Sequence, residues 1–212
     1  MIVLINPNST VSMTDAMLRT ARETVPTATF KGWTSHDGPP SIQGAEDGLA
    51  AEGPLLALVA KASEEGASAI IIACFDDTAL EAARTIARCP VIGIGQAAYH
   101  LAAVAGRRFS VVTTLEVSRP ILEANIAAYG LSGHLGRVRA SGVPVLALER
   151  DPKAAAARIL AEIEMAIRDD DVQSVVLGCG GMVEIHQSTT SSGQAVRFID
   201  GVRAAANFAS QI

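Results

Sequence analysis

The chain has 212 residues, 49% hydrophobic and 18% charged, with a net charge of −5. Its length suits one sizeable packed domain or two small ones, and its scattered Lys and Arg form no basic stripe to neutralise phosphates, which excludes nucleic acid as a partner. No apolar run nears the roughly 18 residues that cross a bilayer, and three cysteines without paired spacing suit a reducing compartment, so a cytoplasmic protein is expected.

The opening "MIVLINPNS" has no basic n-region and reads as a first strand, Ile2–Ile5, not as a signal peptide. Helix Thr10–Thr24 follows, with Ser9 or Thr10 as its expected cap, and then strand Thr29–Trp33. The stretch "TSHDGPPSIQGAEDG" is the one long loop, of a kind that commonly forms a functional lid or mobile segment. Helix Leu55–Glu65, strand Ser68–Ala73, helix Thr78–Ala87, strand Val91–Ile94 and helix Gln96–Ala105 complete the first half. The second half runs through strand Phe109–Thr113, helix Pro120–Tyr129, a weaker strand within Val138–Leu148, helix Pro152–Ile167, strands Ser174–Leu177 and Val196–Ile199, and helix Val202–Gln211. Gly66, Gly106 and Gly130 end helices as left-handed caps. Such alternation is the signature of an α/β protein built from parallel βαβ units.

The order repeats. "IVLINPNS" matches "FSVVTTLEVS", "IIIACFDD" matches "VVLGCGGM", and Cys74 and Cys179 end equivalent strands 105 residues apart. Two similar lobes are expected, residues 1–95 and 96–200, related by an approximate two-fold axis, with helix 201–212 crossing back to the first.

Ligands of open parallel sheets gather at the carboxyl ends of the strands. "NPNS", Cys74 with Phe75, Thr113 with Thr114, and Cys179 with Gly180 and Gly181 all fall there. A lone cysteine at a strand end is commonly core filler, which is the reading for Cys89, but two at equivalent ends are a candidate pair across a cleft. "TALE" reads as a capping box, Thr78 with Glu81, so a helix N-terminus is expected beside Cys74 and should lower its pKa. Asp77 would complete that turn, and Asp76 is free to accept a hydrogen bond from substrate. The glycines after Cys179 leave backbone N–H groups open to a developing oxyanion, or merely form a tight turn. His36, His100, His134 and His186 have no metal-ligand spacing, Lys31, Lys61 and Lys153 no Schiff-base setting, and no phosphate-binding fingerprint occurs, so neither cofactor nor metal is expected. Two opposed thiols suit inversion of a carbon stereocentre, one removing a proton and the other returning one to the opposite face.

Taken together, "INPNST", "ACFDD", "PVIGIG", "FSVVTT", "LGCGGM" and "IDGV" resemble the hydantoin racemase branch of the aspartate/glutamate racemase superfamily over essentially the whole chain. The resemblance implies two flavodoxin-like lobes with the active site between them, cofactor-independent racemisation, and Cys74 and Cys179 as the acid/base pair. It implies that Asn8, Thr113, Thr114, Gly180 and Gly181 hold the carbonyl and N–H groups of a hydantoin ring. Phe75 and Ile42 are expected against its 5-substituent, and Asp76 beside it. Acidic amino-acid racemases place Asn and a hydroxyl residue after the first cysteine; here Phe75, Asp76 and Asp77 would repel an acidic substrate and suit a neutral ring. The branch often has proline where Arg197 stands, with no catalytic consequence expected. Allantoin is the near alternative, a decarboxylase or cis-trans isomerase on the same fold a further one, and a ligand-binding protein with inert thiols the alternative outside catalysis. The expected partners are a small-molecule substrate and further copies of the chain in a homo-oligomer.

Overall fold

The computed structural model describes residues 1–104, 108–185 and 196–212. The expected helix end at Ala105, the glycine cap at Gly106 and His186 lie outside the described residues. Among the described residues eight strands form two four-stranded parallel sheets. The first contains β1 (Ile2–Asn6), β2 (Phe30–Thr34), β3 (Ala69–Ile72) and β4 (Val91–Gly93) in the order β2-β1-β3-β4. The second contains β5 (Phe109–Thr113), β6 (Leu135–Ala140), β7 (Ser174–Leu177) and β8 (Arg197–Asp200) in the matching order β6-β5-β7-β8. Registers match too: Ile2 lies beside Ala69 in one sheet and Phe109 beside Ser174 in the other. The halves share one flavodoxin-like winding, with its switch point between β1 and β3 and again between β5 and β7.

The central strands are apolar on both faces, as parallel sheets covered on both sides require. Val3, Ile5, Ile70 and Ile72 pack under helices α2 (Ala45–Glu64) and α3 (Leu80–Ile86). Val112, Val175 and Leu177 pack under the turn α6 (Ala147–Arg150) and helix α7 (Pro152–Asp169). The alternate residues, among them Leu4, Ile71, Val111 and Val176, belong to one continuous core between the sheets. Helices α1 (Val11–Thr24), α4 (Ile94–Val104), α5 (Arg119–Ala128) and α8 (Gly201–Ala209) contribute Met17, Tyr99, Leu122 and Val202 to it. Helix α8 lies against α1, β3 and α4, and α4 runs through position 95. No helix among the described residues is long and apolar enough to cross a membrane.

Three local readings differ from expectation. Helix α2 starts at Ala45, not Leu55, and continues through Pro54. Pro54 cannot donate to Ala50, but Ala50 is exposed, so the freed carbonyl is open to solvent while Ala51, Leu55, Val59 and Ala62 stay buried on one stripe. The long loop therefore shrinks to residues 35–44, ending on Gly44 at φ +108°. The weak strand lies at Leu135–Ala140, ahead of the apolar "VPVLAL", which instead supplies a loop and α6. Helix α3 starts at Leu80, so Thr78 and Glu81 form no capping box: Ala79 takes the cap position in the left-handed region at φ 52°, with no side-chain cap bond.

Candidate active site

Four central strands end at one place between the sheets. Asn8 follows β1, Cys74 follows β3, Thr113 ends β5 and Cys179 follows β7. The cavity among them is lined by both cysteines, Asn8, Ile42, Phe75 and Asp76. Thr113, Thr114, Gly180 and Gly181 line it as well, so all ten residues singled out from the sequence border a single space. The sequence reading missed Met13 and Met17 from α1, Ser118, and Val145 from the loop ahead of α6, which also face it. The cavity measures about 30 Å³, room for one or two waters.

The two sulfurs are closely matched. Each has nearby the backbone N–H of the residue two further on, which favours the thiolate: Asp76 for Cys74 and Gly181 for Cys179. Gly180 and Gly181 are required by close approach: a Cβ would lie 2.7 Å from Met17 Sδ in the one case and 2.8 Å from Leu148 Cδ1 in the other. Burial pushes the Cys179 thiol up to about 11, with the charge of Asp76 adding to it. Burial, then Asp76, then Cys179 itself, raise Cys74 well above the ordinary thiol range, against the Thr78 hydroxyl and the Asp76 N–H. The expected lowering by a helix N-terminus is therefore overturned. Helix α3 begins six residues beyond Cys74, after a left-handed residue, and desolvation dominates.

The carboxylates divide their duties. Asp77 is buried and accepts from the N–H groups of Gly95 (3.0 Å) and Gln96 (2.7 Å) and from the Tyr129 hydroxyl (2.9 Å). It caps a helix as its residue type suggests, but the helix is α4, not α3. A Cβ on Gly93 would overlap the Asp77 carboxylate, and one on Gly95 would overlap Phe75 O, which gives "GIG" its reason. Asn125 Nδ2 donates to Asp76 O at 2.8 Å, so α5 holds the loop after Cys74 at two points. Asp76 Oδ2, by contrast, is buried with no hydrogen-bond partner among the described residues, and burial pushes its carboxyl up to about 7.

Asn6 does not face the cleft. Its Nδ2 is spent on Asn8 Oδ1, Thr10 O and Thr14 Oγ1. Thr10 takes the cap position of α1 as expected but gives no side-chain cap bond, and Asn8 Oδ1 accepts the Thr10 N–H at 3.0 Å in a turn ahead of the helix. The Thr10 hydroxyl instead donates to Pro40 O at 2.7 Å, tying down the 35–44 loop. Gln43 of that loop accepts the Val145 N–H at 2.8 Å, so the loop is a strap joining the two sheets over the cavity. Thr113 donates to Gly178 O at 3.0 Å and steadies the approach to Cys179. Phe75 borders the cavity, but its ring stands edge-on to Tyr99 at 5.4 Å within the core. Cys89 packs partly buried against the outer core, His36, His100 and His134 lie away from the cavity, and Lys31 and Lys61 flank Trp33. Among the described residues no His, Cys, Asp or Glu cluster could hold a metal ion.

A family model described as Asp/Glu/Hydantoin racemase matches residues 2–209. A hydantoin racemase of Rhizobium meliloti is 43% identical over 210 residues, covering 99% of this chain and 87% of the relative. An allantoin racemase structure from Klebsiella pneumoniae superposes with a TM-score of 0.94 at 36% identity, covering 99% of this chain and 86% of that one. A glutamate racemase structure from Francisella tularensis, at 16% identity and a TM-score of 0.70, covers 99% of this chain and 79% of that one and shares the fold.

Proposed function

We propose that this chain, which belongs to the Asp/Glu/hydantoin racemase family, racemises 5-substituted hydantoins without a cofactor, with Cys74 and Cys179 as its two acid/base groups. The observation that carries this reading is the pair of cysteines at equivalent strand ends lining one cavity.

The C5–H of a hydantoin is acidified by the flanking carbonyl. One sulfur, as thiolate, removes that proton, and the electron pair passes to the carbonyl oxygen as an enolate. The other sulfur, as thiol, returns a proton to the opposite face. Raised thiol pKa values serve both roles: a reluctant thiolate is a strong base, and its partner stays protonated, ready to donate. Asn8 Nδ2, which among the described residues donates to Met13 Sδ at 3.8 Å, and the hydroxyl of Thr114 are the donors proposed for the ring oxygens. Ile42, Val145 and Met13 form the apolar wall proposed for the 5-substituent, with Phe75 bordering the same cavity and its ring edge-on to Tyr99. The strap between Gln43 and Val145, which joins the sheets beside this narrow cavity, is the segment proposed to open for the ring.

Among the described residues no Lys, Arg or His lines the cavity, and Asp76 borders it, which supports a neutral ring over free aspartate, glutamate or a malonate. Allantoin is the second reading. The likeness to an allantoin racemase and the unpartnered Asp76 oxygen, suited to a ureido N–H, both favour it. Polarimetry of enantiopure 5-substituted hydantoins, allantoin, aspartate and glutamate decides among these. Hydantoins should lose optical rotation fastest, and a preference for glutamate would sink the assignment. In deuterated water, Cys74→Ser and Cys179→Ser should each lose net racemisation while exchanging C5–H of opposite enantiomers; the same enantiomer in both would defeat the two-thiol scheme.

A further inference from the structure

Cys74 and Cys179 end equivalent strands, yet the residues that follow them differ, and one difference places a hydroxyl on a sulfur. Four residues beyond Cys74 stands Thr78, whose Oγ1 donates to Cys74 Sγ at 3.4 Å. Four residues beyond Cys179 stands Val183, a buried apolar side chain with no hydroxyl.

The backbone explains why Thr78 turns back. Asp77 donates its N–H to Cys74 O at 3.1 Å, closing a turn, and adopts φ 50°. That left-handed conformation is costly for a residue with a side chain, and it is held by the three bonds that clamp the Asp77 carboxylate to α4 and Tyr129. Ala79 repeats the conformation at φ 52°, which delays α3 to Leu80 and frees Thr78 from capping it. Thr78 is left 8% exposed with its hydroxyl on the sulfur. A hydroxyl there can accept from the S–H of a thiol and, after rotating, donate to a thiolate; the second bond is charge-assisted and stronger.

We infer that Thr78 is a positioning residue for Cys74: its hydroxyl fixes the sulfur and favours its thiolate, so the half-reaction begun by Cys74 depends on Thr78 and the one begun by Cys179 does not. This rests on the two-thiol reading above. The first test needs no substrate. The folded protein is treated with iodoacetamide between pH 7 and pH 10, and the labelling of each cysteine is followed by peptide mass spectrometry. Thr78→Val keeps the branched shape and removes the hydroxyl. Cys74 should then label about tenfold more slowly at a given pH, its profile displaced upward by about one pH unit, with Cys179 unmoved. Thr78→Ser should restore the wild-type profile. In Cys179→Ser, where deuterium exchange of a hydantoin C5–H runs through Cys74 alone, adding Thr78→Val should slow exchange about tenfold. An unmoved Cys74 profile in Thr78→Val, an equal displacement of both cysteines, or failure of Thr78→Ser to restore Cys74 would overturn the inference. Absence of hydantoin turnover alongside the displaced Cys74 profile would overturn the substrate assignment and leave the role of Thr78 standing.

Discussion

Replacing Asp76 by Asn should make the protein less sensitive to rising pH. Asp76 Oδ2 is buried without a partner among the described residues, and burial holds its carboxyl at about 7 instead of 3.8. In the unfolded chain it ionises near the ordinary carboxylate value of about 3.9. Between those two values the folded protein keeps a proton that the unfolded chain has lost. Stability therefore falls as pH rises through this window; the penalty is absent below about 4 and complete above about 7. Each pH unit of the window is worth about 1.4 kcal/mol, so the step from about pH 5 to pH 8 costs roughly 2–3 kcal/mol. Part of the side chain borders the cavity, and screening trims the figure to on the order of 2 kcal/mol. Asn cannot ionise, so the variant should not lose this amount. Its buried amide adds a pH-independent cost of about 1–3 kcal/mol, which drops out when only the change between the two pH values is compared. Asp77, also raised to about 7 by burial, is present in both proteins and cancels to first order. The assay is urea unfolding of wild type and Asp76→Asn at pH 5 and pH 8. Parallel losses in the two proteins would refute the reasoning.

Tyr129→Phe removes one of three donors to the Asp77 carboxylate and should cost about 1–3 kcal/mol in urea unfolding; unchanged stability would show that the two backbone donors suffice. Racemisation should survive EDTA and carbonyl-trapping reagents but be abolished by alkylation of Cys74 and Cys179, and activity persisting after complete alkylation would rule out thiol chemistry. Because burial raises both thiols, with Cys179 near 11, the thiolate grows as pH rises, so kcat/KM should climb up to about tenfold per unit between about pH 7.5 and 9. A flat profile would contradict ionisation of a raised thiol.

The strand ends were legible because parallel strands buried on both faces write themselves as β-branched runs, and chemistry stands out where such a run stops. That is why Cys74, Thr113 and Cys179 could be placed before any coordinates. What stayed hidden was carried by side chains whose partners are distant in sequence. Asp77 was recognisable as a capping residue, but its helix begins at Ile94, and only folding brings Gly95 beneath it. Thr78 fitted a local capping box better than it fitted Cys74, because the left-handed Ala79 leaves no mark in the sequence. Strand β6 is an edge strand with only Val138 buried, and its Arg139 pairs with Asp170 and Glu162; its weak apolar signal lost to the stronger run behind it. Val145, part of that run, turned out to face the cavity.

The unlike neighbours of the two sulfurs carry a consequence that the family chemistry imposes. Mirror-image molecules have equal free energies in water, so the equilibrium constant between them is unity, and kcat/KM must be the same in both directions. No hydroxyl on one side of the cavity can make the enzyme prefer one hand as its end product. What Thr78 on Cys74 and Val183 beyond Cys179 can do is divide that shared ratio differently, giving one enantiomer a higher kcat matched by a proportionally weaker KM. Equal specificity constants would then report only the equal energies of the two enantiomers, and the unlike neighbours of the two sulfurs would show as unequal saturation.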